Sequence, residues 1–506
     1  MIGLDETSAQ ALARDPSQQA IEYQGRWFSW GQMRHLADRL GGLIQASGAG
    51  PNAPVAFIPR NRPSAIAALL GLIAGGRTIR MIYAFQSPAA IARDIERLKP
   101  AIVLAAPDDF SDEVRTVLDA EGIAAISIKE MDATALPGCE RSRARTGADP
   151  AGEPRIEILT SGTTGPPKQF PISYEMIAKH MIGGNLMLAG QEGDLAHLPP
   201  TLLFFPLGNI SGIYSTLPPI LRGQRAVLLD RFTVEGWRDH VVRYRPQASG
   251  FPPAGAQMIL DADIPPEDLA SIRTLGTGAA PLDPTVHRAF EERYGIPILL
   301  SYGATEFGGP VAAMTAELHA RFGKEKFGSV GRAIAGAQLR VLDPETGAVL
   351  PPGQEGVLEV VSPRIGPDWI RTSDVVLIDE DGFLFHRGRA DGAIMRGGFK
   401  LLPETIERAL LLHPAISAAA AVGLQDRRLG QIPGVAIQLK PGAKPLTVTE
   451  AKAHLRDHVP ATHIPVEWRF VDDLPRTPSM KVDRPAVRRL FETPAAPDDG
   501  HAAQQY

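Results

Sequence analysis

Residues 158–168 read Ile158-Leu159-Thr160-Ser161-Gly162-Thr163-Thr164-Gly165-Pro166-Pro167-Lys168. A β-rich run passes into four hydroxyl side chains and two glycines, then two prolines and a lysine. Hydroxyls donate hydrogen bonds, glycines let backbone N–H groups turn inward, and a lysine adds a mobile positive charge. Together these suit a polyphosphate. The plain alternative is a polar surface turn, which is what most Ser/Thr/Gly clusters are. An unbroken run of polar residues and glycines before the lysine weighs for phosphate. The segment is not a Walker A loop, because Pro167 precedes Lys168 and Gln169 follows it. Prolines 166 and 167 also disfavour a helix running on from the glycines, so a flexible loop closing over phosphate is expected.

Working outward, Val55–Ile58, Ile102–Ala105, Ile156–Leu159 and Ala226–Leu229 read as buried strands. Helix-like stretches at Ser64–Gly75 and Ile91–Leu98 lie between them, each near a Gly or Pro stop. Such alternation predicts a largely parallel sheet covered on both faces. Short strands at Leu339–Leu342, Gly356–Val361, Val375–Ile378 and Phe383–Phe385 predict a smaller β-rich subdomain. A helix from Pro403 to Leu412 opens a last unit, with strands Ala418–Val422 and Val435–Leu439 and a helix at Thr449–His458. Pro494–Tyr506 is expected to fray.

The chain has 506 residues, 44% hydrophobic and 22% charged, with a net charge of −5. That excludes a largely disordered chain and argues against a nucleic-acid protein held by a basic face. A small anionic ligand needs only one local pocket. The single cysteine, Cys139, allows neither an intrachain disulfide nor a Cys-based zinc site. MIGLDETSAQ carries no secretory signal, and the longest apolar run, Ala65 to Gly76, is too short to span a bilayer. A cytoplasmic protein without a membrane span is the expectation.

The loop at 158–168 resembles the signature loop of the adenylate-forming superfamily, which includes acyl-CoA and aryl-CoA synthetases, luciferases and adenylation domains of peptide synthetases. Further motifs follow in that superfamily's order over about residues 20–490. The fold this implies is α/β: a large N-terminal domain of α/β subdomains plus a small β-rich subdomain, residues 1–390, binding ATP and acid. A small mobile α+β domain, residues 391–506, follows it. By resemblance, Thr160, Ser161, Gly162, Thr163, Thr164, Gly165 and Lys168 cradle the phosphates of ATP. Ser301-Tyr302-Gly303-Ala304-Thr305-Glu306 resembles a Tyr-Gly-x-Thr-Glu motif, in which Glu306 holds Mg²⁺, Thr305 meets the α-phosphate and Tyr302 lies by the adenine. A carboxylate beside a hydroxyl suits that metal.

Gly276-Thr277-Gly278-Ala279-Ala280-Pro281 looks superficially like a dinucleotide fingerprint, but Pro281 occupies the sixth position and no convincing strand–helix unit is evident around it. In the superfamily this segment borders adenine and acyl pocket, which places Gly278 and Ala279 by the nucleotide and Gly276 by the acid; by the same resemblance Gly303 and Asn209 are acid-pocket residues. Thr372-Ser373-Asp374 and Arg389 resemble the ribose-binding pair. Gly388 to Lys400 tracks the domain boundary, with Asp391 as hinge, Gly397 and Gly398 in the loop lining the CoA tunnel, and Lys400 on the nucleotide side. Lys481, in Pro475-Arg476-Thr477-Pro478-Ser479-Met480-Lys481, resembles the lysine that enters the site during adenylation.

Four positions depart from the pattern: Gln169 and Met480 replace glycines, Asn209 replaces a histidine, and Gly392 replaces an acidic residue. None removes a group the chemistry requires. His454 and His458 lack a Glu or Cys partner for a metal, and no serine-hydrolase elbow occurs. The resulting expectation is an ATP-dependent carboxylic acid–CoA ligase working through an acyl-adenylate, on an aromatic or bulky acid. The alternatives are a stand-alone adenylating enzyme that loads carrier-protein phosphopantetheine, and a degenerate, non-catalytic binder of nucleotide or acyl-adenylate. A homodimer is compatible with all three.

Overall fold

The computed structural model describes residues 2–143, 152–160, 168–182, 195–279, 282, 284–389, 392–401, 403–440, 442–475 and 482–492. Backbone packing divides the chain into two compact units, residues 1–390 and 391–506.

In the first unit, runs of β-branched and alanine residues form short, fully buried strands. Val55–Ile58 and Ile102–Ala105 are buried at every position. They lie at the centre of a seven-stranded sheet whose inner neighbours Ile79–Met81, Ala124–Lys129 and Arg155–Thr160 run parallel to them. The edge strands Asp132–Ala135 and Lys168–Ser173 are antiparallel. The helix Pro63–Ala74 opens on a proline, which is preorganised for the first turn, and stops at Gly75-Gly76. Ten of its twelve residues are buried, so it is a core helix rather than an amphipathic one. Trp30–Ala46, capped reciprocally by Ser29 and Gln32, joins the same core.

Ala226–Leu228 does not extend this parallel sheet, contrary to the sequence reading. It pairs with Gln19–Tyr23 and Thr201–Leu203 in a separate four-stranded sheet. The local pattern gives a strand but not its partner, which here lies about 200 residues back in the chain.

A five-stranded sheet places Ala248–Gly250, Thr274–Thr277 and Ile298–Ala304 parallel, then Gly309–Ala313 and Arg332–Ala333 antiparallel. The helix Pro284–Tyr294 connects two of the parallel strands. A strand–helix–strand unit, Thr274–Thr277, Pro284–Tyr294 and Ile298–Ala304, therefore does flank this segment, and this corrects the sequence reading. The first strand is four residues long and half-buried, too brief for periodicity to reveal. The expected β-rich subdomain is an antiparallel meander of Gln338–Leu342, Glu355–Val361, Ile370–Ile378 and Leu384–Arg389.

In the second unit, Ile416–Asp426 and Gly430–Leu439 form a long hairpin. Glu467–Val471 adds in parallel, and Ile394–Arg396 with Phe399–Leu401 complete the sheet. The helices Pro403–Leu411 and Val448–Arg456 pack on it around Ile406, Leu410, Ala451 and Leu455.

Candidate active site

The strand Ile298–Ala304 ends at a sharp corner. Thr305–Phe307 forms one tight turn, the Gly308 N–H donates to the Thr305 carbonyl at 2.9 Å, and Gly308 takes a left-handed conformation at φ +66°. The chain then returns as Gly309–Ala313. Thr305 and Glu306 thus stand at the carboxyl end of a parallel strand, where open α/β sheets gather ligands. Glu306 is half-buried and meets no cation among the described residues. No cluster of three or more His, Cys, Asp or Glu residues suited to a metal occurs among them either. One hard carboxylate is a sufficient protein donor for Mg²⁺, which keeps waters and substrate phosphates as its other ligands. The residues fit that metal.

Tyr302, on the same strand, donates its hydroxyl to Asp374 across from the meander. Asp374 is buried, and His386 Nε2 lies 3.5 Å from its other oxygen. The Tyr302 and His386 rings are 6.0 Å apart, with Phe307 flanking Tyr302 at 6.2 Å. Thr372 anchors the segment by donating to the Leu358 carbonyl at 2.9 Å while accepting from the Asp374 N–H at 3.0 Å. In the meander Arg389 is the register partner of Asp374. Tyr302 and Asp374, 72 residues apart, are therefore brought together. His386 was not among the sequence candidates. Its signal is the hairpin turn at Gly382, which returns the chain so that His386 faces Val376, two residues beyond Asp374.

Thr160 and Lys168 are register partners in an antiparallel pair, so segment 161–167 leaves and re-enters the sheet at facing positions. Gln169, exposed, faces Leu159 in the same pair. Beneath them, buried Glu157 accepts from Arg80 at 3.0 Å and Arg155 at 2.8 Å. Ser161, Gly162, Thr163, Thr164, Gly165, Asp391, Met480, Lys481 and the Pro494–Tyr506 tail lie outside the described residues, and of Thr160, Lys168 and Arg389 only the strand positions are described.

Among the acid-pocket candidates, Asn209 sits at the N-cap of helix Ile210–Leu221 without bonding that helix, and no other described residue hydrogen-bonds its amide. Buried Asn61 fixes the approach to it: the amide donates to the carbonyls of Phe205 and Leu229, both at 3.2 Å, and accepts from the Leu207 N–H at 3.2 Å. Nothing in the sequence near Asn61 marks that role. A Cβ on Gly276 would meet only the Ser249 carbonyl oxygen, at an ordinary contact distance of 3.9 Å. A Cβ on Gly278 would fall 2.4 Å from Ser301 Oγ, and one on Gly303 2.5 Å from the Gly309 carbonyl oxygen. Ala279 holds φ +68°, a left-handed conformation that costs a Cβ-bearing residue about 1 kcal/mol.

In the second unit, Gly397 and Gly398 form a two-residue turn between Ile394–Arg396 and Phe399–Leu401, with φ of +53° and +88°. Both central residues of such a turn need positive φ, which glycine supplies. The Gly397 N–H donates to the Leu429 carbonyl at 2.8 Å, and Lys400 follows on the return strand. His454 and His458 engage the backbone carbonyls of Ala409 and His454 rather than a metal.

These motifs, in this order on this pair of units, define a nucleotide-dependent acid-activating enzyme. The chain belongs to the AMP-binding enzyme family: that family's profile matches residues 8–367, and the profile of the AMP-binding enzyme C-terminal domain matches residues 405–481. It is 29% identical to the sulfoacetate–CoA ligase of Cupriavidus necator over 91% of this chain and 92% of the relative. It is 26% identical to a 4-coumarate–CoA ligase of Vanilla planifolia over 93% and 90%. The solved structure of the amide bond synthetase McbA from Marinactinospora thermotolerans superposes with a TM-score of 0.82 at 25% identity, covering 97% of this chain and all of that one. No helix among the described residues is long and apolar enough to cross a membrane.

Proposed function

We propose that this enzyme activates a carboxylic acid with ATP and transfers the acyl group to CoA. The observation that carries the reading is the strand Ile298–Ala304, which presents Tyr302 to Asp374 and leaves at its end the Glu306 carboxylate, met by no cation among the described residues. The CoA-ligase relatives support the thiol acceptor.

A carboxylate is a poor electrophile because oxide would have to leave. Its oxygen attacks the α-phosphorus of ATP, the α–β P–O bond breaks, and pyrophosphate departs with its negative charge met by Lys168 and the hydroxyls of Thr160, Ser161, Thr163 and Thr164. Glu306 would hold Mg²⁺, which would supply further charge neutralisation at the phosphates. Asp374 accepts the ribose hydroxyls, a carboxylate having lone pairs enough for a diol, with Arg389 beside it. Lys481 orients carboxylate against phosphate. The 391–506 unit then turns at Asp391, withdrawing Lys481 and bringing in the Gly397–Gly398 turn. The thiolate of CoA attacks the acyl carbon, the bond to AMP breaks, and thioester and AMP leave. Gly276 and Asn209 favour an aromatic or otherwise bulky acid, and a cytoplasmic location, where ATP and CoA are both abundant, suits the reaction.

A second reading changes only the acceptor: the likeness to McbA favours an amine in place of CoA. Pyrophosphate release over a panel of acids, with CoA, with an amine and with neither, separates the two, and absence of acid-dependent release defeats both. Lys481→Ala should abolish acyl-AMP formation while thioester formation from supplied acyl-AMP stays within about threefold; equal loss of both half-reactions refutes that role for Lys481.

A further inference from the structure

Arg364 is 3% exposed and meets no carboxylate among the described residues. Its Nε donates to the Phe307 carbonyl at 3.3 Å and its Nη2 to the Pro310 carbonyl. Ser362 holds the turn below, donating to the same Phe307 carbonyl at 2.6 Å. Two carbonyls occupy two of five guanidinium donors, and no carboxylate among the described residues bonds the charge. Burying such a charge is costly unless an anion meets it. Burial pulls the guanidinium down from its usual range, with the neighbouring Tyr214 hydroxyl opposing the shift, but an arginine remains protonated at neutral pH.

The position of this cation is informative. Gly309 holds φ +123°, and a Cβ placed on it would fall 3.2 Å from the Tyr214 ring and 3.8 Å from Arg364 Nε. Tyr214 and Arg364 therefore converge on the backbone of Gly309. That residue pairs with Ala304, and the next, Pro310, pairs with Gly303. Tyr214 lies on the helix that begins at Asn209. The cation thus sits behind the strand pair and helix that carry the acid-side residues Gly303 and Asn209. His180 is close enough to feel it: burial first, then Lys179 and Arg364, hold that imidazole below its ordinary value. The Glu175 carboxylate opposes that shift.

We propose that Arg364 is a specificity-determining residue that reads a second anionic group, a carboxylate or sulfonate, at the far end of the acid substrate, with Tyr214 beside it. The assignment rests on the acid-activating reading above. A purely structural arginine, tying residues 307 and 310 together, would leave acid preference untouched.

The test uses the full-length enzyme and pyrophosphate release with matched pairs: 3-carboxyphenylacetate against 3-carbamoylphenylacetate, and 3-sulfopropionate against 3-sulfamoylpropionate. The anionic member of each pair should be favoured by about 30-fold in kcat/KM, as a charge-assisted hydrogen-bonded contact implies. Arg364→Met should erase the preference, chiefly through KM, and change the neutral member by less than about threefold; Arg364→Lys should restore part of it. The ratio within a pair is independent of how much variant folds, and Arg364→Lys keeps the test readable if Arg364→Met does not fold. Equal use of both members by the wild type, or an unchanged ratio in Arg364→Met, overturns the assignment and leaves the ligase reading standing. Absence of pyrophosphate release with every acid overturns both.

Discussion

Asp374 accepts from Tyr302 and lies 3.5 Å from His386 Nε2. Tyr302 thus fixes the orientation of a carboxylate. Tyr302→Phe removes one bond to a charged group and leaves the ring in place, so KM for ATP should rise about tenfold. The change in kcat should stay within about threefold, as steady-state pyrophosphate release would show; an unchanged KM would refute the orienting role. Residues of this kind divide by how the sequence displays them. Thr305, Glu306 and Asp374 could be picked out as candidates because their motifs are contiguous. Asn61 and Arg364 were not, because what defines them is distance from the partner: Asn61 bonds Leu207 across 146 residues, and Arg364 bonds Phe307 across 57. The residues on either side, Arg60 and Arg62 for Asn61 and Pro363 and Ile365 for Arg364, carry no mark of such a partner.

Among the elements, the antiparallel pair Ile298–Ala304 and Gly309–Ala313 carries the densest constraint. Its register shifts between Tyr302 and Gly303, which lets the strand bend towards the corner at Thr305. Gly303 is small for a backbone reason, since a Cβ there would lie 2.5–2.7 Å from Gly309 and Pro310. Gly303→Ala must push the returning strand away, costing roughly 1–3 kcal/mol, and that strand carries the Pro310 carbonyl that Arg364 grips. A lowered denaturation midpoint of the first unit is the expected measurement; an unchanged midpoint would show that the corner yields without cost. Val55–Ile58 and Ile102–Ala105 were readable to the residue because both faces are buried and every position is apolar. Thr274–Thr277 was not, because four half-buried residues with two threonines carry no period.

Over the whole molecule, the two units have separate hydrophobic cores, one set of clusters between residues 4 and 384 and another between 406 and 487. Their stabilities can therefore respond to pH separately. In the second unit, His463 is 8% exposed and is clasped from both sides, because Arg396 Nη1 donates to the carbonyls of Thr462 at 2.5 Å and Ile464 at 3.3 Å. Burial, with the Arg396 charge adding to it, pushes the imidazole down from 6.5 to about 4. The folded unit thus resists a proton that the unfolded chain accepts. Stability is complete above pH 6.5 and declines as pH falls towards 4, by up to roughly 3 kcal/mol, with no further loss from this group below that. Amide exchange of the hairpin Ile416–Asp426 and Gly430–Leu439, followed in the full chain from pH 7.5 to 4.5 and corrected for intrinsic rate, reads that decline directly. His463→Asn cannot take up a proton, so its hairpin should lose less protection on acidification than the wild type, while strands of the first unit respond alike in both proteins. Equal loss in the two hairpins would mean that other groups, the neighbouring His413 among them, set the acid response, and that burying His463 leaves acid stability unaltered.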